Sequence, residues 1–144
     1  MWLLVGVRKS EVPDHFPHKY ITLDIEDADI CGEIFDTGTW LTILNKYGEN
    51  YFEAIMTDGG LLYVRRNAEI IGIKQKLLKD GGYIYNYTSV IGKRVGDPLY
   101  RGHKLVFYEI PKKDYTVVKH DIAWRYYPDD SWGDQLRRKL KLII

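Results

Sequence analysis

The chain has 144 residues, 45% of them apolar, a single cysteine and a formal net charge of +1. That length and composition bury one core unaided, which excludes a disordered segment, and Cys31 alone excludes an internal disulfide or a zinc site built on several cysteines. No apolar run approaches the roughly 20 residues that span a bilayer, so no membrane partner is expected.

The two halves differ in charge: residues 1–72 carry 6 Lys/Arg against 12 Asp/Glu, residues 73–144 carry 15 against 8. Such polarity suits head-to-tail self-association, hence a homo-oligomer, or a basic face for an anionic partner. The opening Met1-Trp2-Leu3-Leu4-Val5-Gly6-Val7 has no basic residue before it and is cut short by Arg8 and Lys9. It does not read as a signal peptide, and a cytoplasmic protein is expected.

Taken in order, Trp2 to Val7 has the near-continuous apolar pattern of a central strand. Pro13 and Pro17 make residues 11–18 an extended connector. Residues 20–25 alternate, with Ile21, Leu23 and Ile25 on one face, as a half-buried strand does. The acids of residues 26–33 are too dense for a core element and predict a loop. Asp36 then sits at a helix N-cap, its carboxylate placed to accept the N–H of Gly38 or Thr39. Phe35 and Trp40 have the spacing of a hydrophobic staple, and Trp40, Ile43, Leu44 and Tyr47 line one face before Gly48 ends the helix.

Residues 51–57 and 61–66 predict a hairpin about Asp58-Gly59-Gly60. Asn67 caps a helix through Lys79, stopped by Gly81. Residues 82–91 alternate tyrosines as a strand does, residues 92–103 read as a long basic loop, and residues 104–110 and 115–124 predict a second hairpin about Pro111 to Asp114. A last helix begins near Ser131, with acids first and bases last, as the helix dipole prefers. The sum is an α+β fold: a mostly antiparallel sheet of six or seven strands with three helices packed against it, in a single domain over residues 1–144.

Ile34-Phe35-Asp36-Thr37-Gly38-Thr39 resembles the active-site motif of aspartic proteases, in which two apolar residues precede Asp-Thr-Gly and then Ser or Thr. The resemblance implies that Asp36 would pair with a second carboxylate, from another copy of the chain, to activate water. Ile70-Ile71-Gly72 looks like that family's supporting element. It covers about nine residues, and the N-cap accounts for the same residues without chemistry. A hydrolase using Asp36, either protease-like or assisted by a metal, is therefore the alternative function.

The acids around Asp27 and Asp29 are the candidate metal ligands, since hard cations prefer oxygen. With Gly32 they fit three positions of a calcium loop, but Cys31 and Gly38 fall where further ligands belong. Of the four histidines, at 15, 18, 103 and 120, His15 and His18 show no orienting carboxylate and His120 lies on an apolar strand face, as a packed residue does; no cofactor is expected.

The strongest pattern lies in the second half, where tyrosines and bases interleave. Tyr83, Tyr85 and Tyr87 share a strand face; Arg94, Tyr100, Arg101 and Lys104 follow. Rings that stack bases beside cations that meet phosphate are how single-stranded nucleic acid is held. The sequence thus points to a non-enzymatic binding protein whose C-terminal half contacts nucleic acid, a nucleotide-like ligand or an acidic protein. A structural subunit of a larger assembly, cellular or viral, is the remaining class.

Overall fold

The computed structural model describes residues 1–58, 68–87, 92–102, 104 and 106–118. In chain order these hold β1 (Trp2–Val5), a 3-10 turn (Lys9–Glu11), β2 (Tyr20–Asp24), β3 (Ile30–Cys31), α1 (Thr37–Tyr47) and β4 (Phe52–Thr57). Then come α2 (Ala68–Leu77), β5 (Leu78–Asn86), β6 (Lys93–Val95), β7 (Phe107–Pro111) and α3 (Lys112–Val118). No described helix is long and apolar enough to cross a membrane.

The seven strands form one sheet in the order β3-β2-β1-β4-β5-β7-β6. The fold is mixed α and β, as the sequence predicts, but the sheet is not mostly antiparallel. Four pairings, from β3 through to β5, are parallel; only β5–β7 and β7–β6 are antiparallel. The connections explain this. α1 and α2 are crossovers that return the chain to the edge where the next strand starts, and such returns make neighbours parallel. The proline-bounded segment between β1 and β2 does the same without a helix, burying Val12 and Phe16 as it passes.

Those crossovers divide the core. Leu3, Val5, Ile55 and Ile84 point from the sheet into a cluster with Trp40 and Ile43 of α1, Ile70 and Leu77 of α2, and Tyr115 of α3. The alternate residues Trp2, Leu4, Ala54 and Met56 form a second cluster with Val7, Phe16 and Leu99 from loops and Phe107 of β7, against which Tyr85, Tyr87 and Val95 pack. Among the described residues, helices cover one face of the sheet and loops the other.

Other expectations are corrected locally. The predicted loops at 26–33 and 92–103 contain β3 and β6. β3 is a two-residue rung, pinned because the Thr22 N–H and hydroxyl both bond Asp29 Oδ2, at 2.9 and 3.3 Å. β5 starts at Leu78, not Gly82, running straight on from α2. Residues 112–118 are helical where a turn and the start of a strand were expected. Lys112 anchors that helix, its Nζ donating to Leu78 O at 2.7 Å, and Tyr115 is fully buried beneath it. The strand expected at 61–66, the turn glycines 59 and 60, His103, His120 and the last helix lie outside the described residues.

Candidate functional site

The loop-covered face is the aromatic one. Side chains alternate along a strand, so Trp2 and Leu4 of β1 share this face with Tyr83 and Tyr85 of β5. Register sets them in rows: Tyr20, Trp2, Ala54, Tyr83 and Pro111 in one, and Leu4, Met56, Tyr85, Glu109 and Lys93 in the next. β4 lies between β1 and β5, so rings from the two strands must meet above it. Ala54 lacks the bulk to prevent that, and Trp2 and Tyr85 stack with centroids 5.1 Å apart and planes 14° apart. His18 stacks on Trp2 as well, at 4.5 Å and 11°, and Phe16 meets Trp2 edge-on at 5.5 Å. Tyr83 continues the band, 6.4 Å from Tyr85.

Beside this band lies a cavity of about 180 Å³. Trp2, Tyr85, Val95 and Glu109 form its sheet side, and Gly96, Pro98 and Tyr100 form the facing loop. Its polar centre is the Tyr85 hydroxyl, which donates to Glu109 Oε2 at 2.8 Å. Burial first, then that hydrogen bond and the Glu109 charge, pushes the Tyr85 phenol well above its ordinary value. Tyr85 is thus a neutral donor whose proton is committed to Glu109. Among the described residues no protein donor reaches Glu109 Oε1. A Cβ on Gly96 would meet nothing within 4 Å, so the loop there borders open space.

The loop is held by a charge clamp. Arg101 grips Asp58 at the end of β4 with two bonds, of 3.0 and 3.2 Å, and reaches Asp97 Oδ2 through Nε at 2.6 Å. Asp97 in turn accepts the Leu99 N–H at 3.0 Å, and Leu99 is buried under the loop. Burial works against the Arg101 charge, but the two carboxylates outweigh it and hold its pKa above the ordinary range. Tyr100 projects from the clamped loop with a left-handed φ of 54°, its carbonyl 3.2 Å from His15 Nε2.

The sequence candidates separate accordingly. Tyr85 and Tyr100 come together on the cavity, and Tyr83 adjoins it. Tyr87 shares the face but packs edge-on against Phe107, 5.8 Å away. Arg101 is the clamp. Arg94 pairs with Tyr108, which packs toward the helix-covered core, so it belongs to the other face. Lys104 is exposed. Sequence reasoning missed Trp2, His18 and Glu109 as site residues; none carries a local signal, since it is strand register that sets Glu109 beside Tyr85.

The other candidates stand apart from the cavity. Asp36 is exposed and caps α1, accepting the Gly38 N–H at 3.0 Å. Asp27 accepts both the N–H and the hydroxyl of Ser10, at 3.2 and 2.6 Å, which lowers its pKa. Asp29 is pushed up by burial, but its bonds from Thr22 and Lys9 win and the net shift is downward. Among the described residues no three His, Cys, Asp or Glu side chains gather as a metal site requires. On the helix-covered face, at the carboxyl end of β4, buried Lys74 donates to Thr57 at 3.1 Å with Trp40 and Tyr115 rings 5.9 Å away. Compared with protein-family models, with curated proteins and with solved structures, the chain matches none.

Proposed function

We propose that this is a binding protein that takes a nucleobase, of a nucleotide or of a single strand, on the loop-covered face of its sheet. The observation that carries the reading is the cavity walled by the stacked Trp2 and Tyr85 rings on one side and the Tyr100 loop on the other. Its volume of about 180 Å³ is below the roughly 300–1,000 Å³ of sites for drug-sized ligands. One ring system fits, which leaves sugar and phosphate outside. Exposed Tyr83 offers a second stacking surface beside the first, as a strand-binding face needs. Lys93, in the row of Glu109 on the edge strand, is exposed, and its ammonium would meet a phosphate.

The test is a titration of the protein with nucleoside monophosphates and short single-stranded RNA and DNA, read by tryptophan fluorescence and anisotropy. Binding is expected, and Gly96→Leu should abolish it by filling the cavity. Gly96 has no positive φ, so the added side chain is not strained. If no nucleotide or oligonucleotide binds at millimolar concentration, or if Gly96→Leu binds as well as the parent, the reading is wrong.

A further inference from the structure

Resting on the nucleobase reading, we infer that the cavity selects a base by its donor edge and takes guanine, with Glu109 as the specificity-determining residue. The positions of the hydrogens decide which base fits. An ionised carboxylate can only accept. The Tyr85 hydroxyl has one proton, and it is directed to Glu109 Oε2 at 2.8 Å, so toward the cavity its oxygen has only lone pairs to give. Both polar side chains on the sheet side therefore present acceptors, set side by side by the pairing of Tyr85 with Glu109 across β5 and β7.

A ligand edge that meets two acceptors must carry adjacent donors. Guanine does, through N1–H and the 2-amino group. Adenine and cytosine each have one amino donor beside a ring nitrogen that is itself an acceptor, and that nitrogen would face the carboxylate lone pairs. Uracil and thymine have one N–H flanked by two carbonyls, and two acceptors facing acceptors repel. The ring stack adds affinity without discriminating, because every base has a π-face. Discrimination falls to Glu109.

The decisive comparison uses guanosine and inosine monophosphates, which differ only in the 2-amino group. Titrations on the unmodified protein should show guanosine monophosphate bound about ten- to a hundredfold more tightly than inosine monophosphate, the range of a good two-bond base contact. Adenosine, cytidine and uridine monophosphates should be weaker still, with uridine last. Glu109→Gln keeps an acceptor for Tyr85 but replaces one carboxylate oxygen with an amide donor, and should erase the guanosine preference; circular dichroism checks its folding. Equal affinity for all five nucleotides would overturn the donor-edge inference while leaving base binding intact. No binding by any of them overturns the underlying reading instead. Methylguanidine, a planar donor-only cation, is the last arm: if it binds and guanosine monophosphate does not, the acceptor pair serves an arginine side chain, and the guanine assignment is wrong.

Discussion

Tyr85 uses one hydroxyl to fix the direction of Glu109 and to remove its own donor from the cavity. Its raised pKa has a consequence for stability, because a group that holds its proton more tightly when folded resists deprotonation only in that state. The contribution is intact below the ordinary tyrosine value of about 10 and is lost as pH rises through the higher folded value. Tyr85→Phe should therefore cost about 0.5–1.5 kcal/mol at neutral pH, one half-buried hydrogen bond, yet lose less than the parent in alkali. Thermal midpoints of both proteins from about pH 8 to about pH 11 check this; parallel curves would mean that the phenol is not held by Glu109. Only part of this was legible in the sequence. The tyrosine density marks Tyr85 and Tyr100. Glu109 in Phe-Tyr-Glu-Ile-Pro reads as an ordinary solvent-facing position, and only its register against Tyr85 gives it a role. Arg101 looked available to a phosphate because its two acceptors are 4 and 43 residues away in sequence, and a pattern read locally cannot see the second.

Among the helices, α1 is one whose local signals agree with its structure. Asp36 caps it, Gly48 ends it with φ at 82°, and Trp40 and Ile43 are buried as the periodicity requires. Asp36→Ala should destabilise the protein by about 0.5–2 kcal/mol, with Asp36→Asn nearly neutral, measured by denaturant unfolding. An asparagine variant as unstable as the alanine one would mean that the carboxylate charge, not the cap geometry, matters. β5 shows where local signals mislead. Gly81 reads as a helix stop, but with Gly82 it sits in a register shift of the strand, between Leu78 opposite Phe52 and Tyr83 opposite Ala54. Gly81 takes φ at 82°, and a Cβ on Gly82 would come within 2.8 Å of Glu53 O. Gly81 is needed for its positive φ and Gly82 for that close approach. α3 misleads in the opposite sense: Thr116, Val117 and Val118 are β-branched and favour a strand, yet the buried Tyr115 and the Lys112 anchor make the segment helical.

Across the whole molecule, the mixed sheet was hidden by its uneven cover. Parallel strands buried by helices on both faces read as continuous apolar runs, and here only β1 does. β2 and β5 keep the alternation of a sheet with one lighter face, since among the described residues loops rather than helices lie over that side. That pattern reads as antiparallel. The same arrangement limits the electrostatics of binding. With Arg101 held by its carboxylates and Arg94 on the other face, Lys93 pairs with Glu109 across the sheet and, among the described residues, is the cation proposed to meet phosphate. Affinity for single strands should then fall with salt by about 0.7–1.4 in log K per decade, as for one or two phosphate contacts. Anisotropy titrations at two salt concentrations measure the slope. A slope of several units would place the main contacts elsewhere on the chain.

Trp2, Tyr85 and Glu109 are brought together only when the first strand, the fifth and the seventh share one sheet. No fragment of the chain short of β7 holds the cavity, and pairings between such distant segments are the slow part of folding. During refolding the ability to bind should return with the last kinetic phase rather than with the appearance of helices. A ligand present from the start would leave the early steps untouched and act only on the finished sheet, by slowing its opening.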